Sequence, residues 1–278
     1  MIKKILVVLD NSKPGLTAQK YAMDMALKYK AILTGLTILD TPWITAAQPE
    51  PLGGSAFKVH RDDVVLRQSQ DHIDYLLAEF KKDALEAQLD FQGVEAEGFP
   101  AIEIEKLSHE NDIIIIGKTT DFHFELEEDT DITVKHIARD NPRPLILIPE
   151  TIPTSQRIMV AYDGSLQASR SLHMFLLLGL AKSHEIHIVC SHKIVDKAEV
   201  VGKRAVRMCE AHGVKATFHP LEMPSGSTAD HLLDKVKELD VSMLVMGGFS
   251  HTLIHETLFG SCTKALMRNT IVPLFMFH

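Results

Sequence analysis

The chain repeats itself, and that repetition constrains the fold more than any other feature. "KKILVVLDNSKPG" (Lys3–Gly15) and "QRIMVAYDGSLQA" (Gln156–Ala168) share a short apolar run, an Asp, a small polar residue and a Ser, then a helix-like segment. Asp10 and Asp163 stand 153 residues apart, and "AILTGLTILD" and "EIHIVCSHK" keep that offset when Thr37 is set against Cys190. "DIIIIGK" matches "VSMLVMGG" with Gly117 and Gly247 130 apart. The closing segments "ARDNPRPLILIP" and "MRNTIVPLFMFH" place Arg139 against Arg268 and Pro144 against Pro273, both 129 apart. Matches in the same order along both halves indicate a duplication.

The shrinking offset means that the first copy carries extra residues. "TPWITAAQPEPLGG" (Thr41–Gly54), rich in Pro, Ala and Gly, reads as an exposed loop. "PETIPTSQ" (Pro149–Gln156) reads as the linker, which places domains at 1–150 and 156–278. Within each copy, runs such as "ILVVL", "IIIIG" and "LILI" are almost wholly apolar and β-branched, as parallel strands covered on both faces must be. Amphipathic stretches alternate with them. Leu16–Tyr29 puts Ala18, Tyr21, Ala22, Met25 and Ala26 on one stripe, and Asp63–Gln88 reads as a long helix. The predicted fold class is α/β: two tandem doubly wound, Rossmann-like domains. Each has a mainly parallel five-stranded sheet flanked by helices.

The balance of 45% hydrophobic and 24% charged residues supports a sizeable core. Net charge is −8 and no basic run exceeds two residues, which argues against nucleic acid as a partner. The apolar start of "MIKKILVVLD" ends at Asp10, too short for a membrane span or a signal core. Three widely spaced cysteines, Cys190, Cys209 and Cys262, fit a reducing compartment. These readings predict a cytoplasmic protein that does not enter membranes.

The richest local signal is "VMGGFSHTLIHETLFGS" (Val245–Ser261), with small residues at both ends of a bulky run. Small residues there would let backbone N–H groups face an anion at the start of the next helix. Turns alone are the competing explanation. In doubly wound sheets ligands sit at the carboxyl ends of strands. Asp163, Ser191 and Gly247 each end a predicted strand, so one crevice would collect them.

"VAYDGS" after a first strand and Gly247-x2-Ser250-x9-Gly260-Ser261 after a fourth resemble the universal stress protein family, in its tandem two-domain form. The family's nucleotide-binding members carry G-x2-G-x9-G followed by Ser or Thr. Here Ser250 replaces the second glycine. The resemblance implies ATP, with Mg²⁺, bound without a Walker-type loop. It places Asp163 at the ribose or adenine, and Ala161, Tyr162 and Ser191 around the base. Met246 and Gly247 would lie against the ribose and first phosphates, and Ser250, Gly260, Ser261 and the N–H of Cys262 at the polyphosphate. It further implies a regulatory rather than a turned-over nucleotide, a homodimer, and a protein partner that the sequence does not identify. The apolar closing segments "PLILIP" and "PLFMFH" would pair the two halves.

The halves are not equivalent. Where the second has its cradle, the first has Asp121, Glu125, Glu127, Glu128, Asp129 and Asp131, which would repel a triphosphate. The first half therefore reads as having a degenerate nucleotide loop. A hard cation on these acids is the sharper alternative to a solvated loop. "GKTT" is no P-loop, since Asp112 stands where the motif needs Gly. His251 follows Ser250 and is a candidate phosphate contact. His251, His255 and Glu256 are also the only candidates for a slow ATPase or phosphoryl transferase, for which no defensible catalytic constellation exists. A lipid-like or metal ligand in the first half is a third reading, motivated by Trp43 and the acidic run. His184 and His187 lie on opposite faces of a strand and make a poor metal pair. Ser12 and Ser165 read as helix N-caps, and Cys262, at a helix start, as a thiol whose pKa position there could lower.

Overall fold

The computed structural model describes residues 1–46, 55–120, 122, 132–191, 195–221, 227–248 and 261–278. The first copy runs β1 (Lys4–Val8), α1 (Lys13–Tyr29), β2 (Ile32–Leu39), α2 (Thr41–Ile44), α3 (Ser55–Glu86), β3 (Phe91–Glu97), α4 (Pro100–Ser108), β4 (Ile113–Gly117), α5 (Ile132–Asp140) and β5 (Leu145–Ile148). The second runs β6 (Arg157–Ala161), α6 (Leu166–Leu177), β7 (Glu185–Ser191), α7 (Val195–Ala211), β8 (Ala216–Leu221), α8 (Thr228–Glu238), β9 (Met243–Gly247), α9 (Ser261–Asn269) and β10 (Leu274–Phe277). Among the described residues the two copies thus repeat one α/β pattern, each contributing five strands.

Two compact units result, one of Lys3–Ile137 and one of Ala138–His278 with Met1–Ile2. The first has strand order β3-β2-β1-β4, all parallel. The second has order β5-β10-β9-β6-β7-β8, parallel except that β5 runs antiparallel to β10, with Leu147 opposite Leu274. The closing strands of the two copies therefore pair, as the apolar segments implied, and β5 belongs to the compact unit of the second copy.

Burial explains the strand composition. β4 and β5 are buried along their whole length, so every position is apolar or Gly. The edge strands differ. β3 carries exposed Glu95 and Glu97, and β8 carries Pro220, whose missing N–H suits an edge that must not recruit a further strand. In the second unit Phe175 of α6 meets Phe275 of β10 edge-on, with centroids 5.1 Å apart and planes at 73°.

Helix starts follow the Asp-x-Ser pattern of the repeat. Ser12 and Ser165 cap α1 and α6, accepting hydrogen bonds from the N–H groups of Gly15 and Ala168. On α1, Ala18, Ala22, Met25 and Ala26 are buried as predicted, and Tyr21 is half-buried. The long helix begins at Ser55, earlier than the Asp63 expected, because "SAFKVHRD" holds no helix breaker and Lys58 anchors it by donating to the Thr45 carbonyl at 3.1 Å. Part of the expected Thr41–Gly54 loop is also helical. Asp40 accepts from the Trp43 N–H at 3.0 Å and Pro42 sits in the first turn, which nucleates α2. The linker Pro149–Gln156 contains no helix or strand. Among the described residues no helix is long and apolar enough to cross a membrane.

Candidate functional site

The candidate site lies at the carboxyl ends of β6, β7 and β9. Ala161 ends β6, and Tyr162 continues the ladder through its N–H to the Val189 carbonyl at 2.9 Å. Gly164 then turns the chain with φ +78°, a left-handed conformation that favours glycine, and a Cβ there would lie 2.9 Å from Val201. This turn presents Asp163 to solvent while its Oδ1 accepts from the Ser165 N–H at 2.9 Å. Ser191 ends β7 beside buried Cys190. Met246 and Gly247 end β9 between β6 and β10. Ser261 opens α9 at an exposed position and Cys262 follows, half-buried.

Electrostatics tie these ends together. The Cys190 thiol is pushed up to about 11, first by burial and then by the Asp163 carboxylate. Cys262 is raised by the same two causes in the same order. Asp163 therefore lies near enough to the end of β7 and the start of α9 for its charge to act on both thiols. Burial and the carboxylate outweigh the helix N-terminus at Cys262, so the lowered pKa considered for that thiol is not found. Ser250, His251 and Gly260, with His255 and Glu256, lie outside the described residues.

One residue, Ser171, and one role, the packing of the expected Gly247, were not legible beforehand. Buried Ser171 on α6 donates to the Met246 carbonyl at 2.7 Å and fixes the end of β9. Gly247 packs against the first turn of α6, where a Cβ would stand 2.5 Å from the Ala168 nitrogen. Gly117 meets the Gly15 nitrogen in the same way, at 2.8 Å. This glycine thus has a packing role in both copies, whatever lies beyond it.

At the matching end of the first unit the aspartate is buried. Asp10 is 2% exposed, and its Oδ1 accepts from the Ser12 N–H at 2.7 Å. A cavity with room for about one water molecule lies there, between Asp10, Asp40, Ser69, His72 and Phe122. The acidic run expected to fill the first copy's loop position, Asp121 and Glu125 to Asp131, falls outside the described residues. Among the described residues no group of three or more His, Cys, Asp or Glu is placed to hold a metal.

One polar pair was missed because its partners lie on neighbouring strands. His187 of β7 and His219 of β8 approach to 2.9 Å, Nδ1 to Nε2. Both have lowered pKa values, His187 first by burial, His219 first by burial and then by His187. The neutral rings are therefore favoured in the folded chain. Below the ordinary histidine value of 6.5 the unfolded chain binds more protons, so this contribution to stability is complete above 6.5 and lost as pH falls toward the lowered folded values. Chemical denaturation between about pH 7.5 and pH 5.5 is expected to show a larger stability loss in the parent protein than in His187→Gln. Equal losses would refute the assignment.

Two α/β units in one chain, each repeating the same strand and helix order, define a duplicated protein of the Rossmann-like class. Comparison with known proteins agrees. The universal stress protein family model matches residues 1–122 and again 154–278. The chain belongs to the universal stress protein family, in its tandem two-domain form. It is similar along its whole length to a universal stress protein of Synechocystis sp., at 22% identity over 290 residues and 100% of both chains. A universal stress protein of Archaeoglobus fulgidus shares its fold with a TM-score of 0.70 at 18% identity, over 98% of this chain and 95% of that one. A putative universal stress protein of Pseudomonas aeruginosa gives 0.61 at 17% identity, over 99% and 92%.

Proposed function

We propose that the chain binds ATP, with Mg²⁺, in its C-terminal domain, and that the nucleotide acts as a regulatory ligand in a stress response. The observation that carries this reading is the contrast between the copies. Asp163 is exposed just past the end of its strand, whereas Asp10, at the same repeat position, is buried. The donor chemistry fits the ligand. A carboxylate suits ribose hydroxyls or an adenine amine, and the amino end of α9, opened by Ser261, suits phosphate oxygens. Ser250, His251 and Gly260 complete the phosphate end in this reading, on the strength of their spacing. A ligand of this kind acts by favouring one conformation or assembly state, and a homodimer with a protein partner is the assembly we propose it biases, in the cytoplasm.

Calorimetric titration of Mg-ATP into nucleotide-free protein tests this, beside Gly260→Glu, which puts bulk and charge in the cradle. One site per chain, abolished in the variant, is the expected result. Two sites would overturn the reading of the first half, and no binding would overturn the proposal.

A further inference from the structure

The two copies differ at one small position beside the crevice aspartate. Asp10 and Asp163 match, Ser12 and Ser165 match, and Gly15 in the first copy therefore matches Ala168 in the second. The local frame is the same in both. Each aspartate Oδ1 accepts from the serine N–H two residues on, at 2.7 Å and 2.9 Å. Each serine Oγ accepts from the N–H of residue 15 or 168, at 3.0 Å and 3.1 Å. Each helix start packs on the matching glycine, Gly117 or Gly247.

Inside that common frame the two aspartates differ in exposure, Asp10 being buried and Asp163 exposed. A Cβ on Gly15 would lie 2.6 Å from both Cγ and Oδ2 of Asp10, so the Asp10 carboxylate occupies the space of the missing methyl. At 168 that methyl is present and buried, 4% exposed. A carboxylate placed at 163 as that of Asp10 is placed would meet this methyl, and Asp163 is exposed. From this we infer that the residue at 15 or 168 decides whether the crevice aspartate is sealed against its helix or presented to a ligand. Ala168 is then a positioning residue for the nucleotide site. It touches no nucleotide itself and acts through Asp163. Gly15 does the reverse and lets the first copy close over its own aspartate. The inference deepens the ATP reading and rests on it only for its consequence in binding. The orientation of the carboxylates is a separate matter.

The test separates the two. Carbodiimide labelling with an amine, read by peptide mass spectrometry, reports carboxylate accessibility without any nucleotide. Asp163 is expected to label and Asp10 to resist in the parent protein. In Ala168→Gly, which removes atoms and cannot create a clash, Asp163 labelling is expected to fall several-fold. In Gly15→Ala, Asp10 labelling is expected to rise. Far-UV circular dichroism checks the fold of each, and should Gly15→Ala not fold, Ala168→Gly decides alone. Unchanged Asp163 labelling in folded Ala168→Gly overturns the inference. Mg-ATP titration then reads the consequence: affinity in Ala168→Gly about tenfold weaker or worse, as for one lost hydrogen bond to a charged group. If Asp163 labelling falls and the parent protein binds no ATP, the functional proposal fails and the positioning device stands. If the parent binds and Ala168→Gly binds equally well, Ala168 does not position Asp163 for nucleotide.

Discussion

Phe175→Ala is expected to destabilise the C-terminal unit by about 3–5 kcal/mol, the usual cost of truncating a buried aromatic ring. Phe175 is fully buried on α6, and its ring meets Phe275 of β10 edge to face. That geometry adds about 0.5–1.5 kcal/mol beyond burial for such a pair. The cavity would lie under the helix that carries Ser165, Ala168 and Ser171, so the loss also loosens the helix against the strand ends. Urea denaturation reads the effect as a lower midpoint at unchanged slope. A change below about 1 kcal/mol would mean that the ring is not part of a packed core.

Gly247→Val is expected to be the most damaging single change at the site. Its Cβ would stand 2.5 Å from the Ala168 nitrogen and 2.7 Å from the Gln167 carbonyl carbon, both backbone atoms that no rotamer change can move. Overpacking of this kind costs about 1–3 kcal/mol, and more where backbone must shift. Pushing the start of α6 away also displaces Ser165 and Asp163, so Mg-ATP binding should disappear along with the stability. Gly117→Val supplies the control. It meets the same obstruction, the Gly15 nitrogen at 2.8 Å, in the unit read as non-binding. It should lower stability while leaving nucleotide affinity as it was. Loss of stability at both positions with loss of binding at only one would assign the nucleotide to the second copy. Loss of binding at both would contradict that assignment.

Much of this was legible in the residues. Strand positions could be read because a parallel strand buried on both faces must be nearly all apolar, and β1, β4, β5 and β9 are. The capping serines could be read because a helix start leaves N–H groups that a side chain must satisfy. Two boundaries read poorly. Helix α3 begins before its apolar periodicity does, and α2 forms inside a Pro-containing segment because one aspartate caps it. His219 and Ser171 carry no sequence signature, since each matters only through a partner on another element, His187 or the Met246 carbonyl.

The sequence by itself determined that the chain is a duplicated α/β protein, with an Asp-x-Ser turn ending the first strand of each copy and a small-residue spacing retained only in the second. Those features are local or periodic, and their physical requirements are met within a strand, a turn or a cap. Only the tertiary structure decided which aspartate is sealed and which is presented. Asp10 and Asp163 read alike in the sequence, and their fates separate through a missing methyl at Gly15 and a present one at Ala168. The consequence of a single methyl depends on what shares its space, and that is settled by packing.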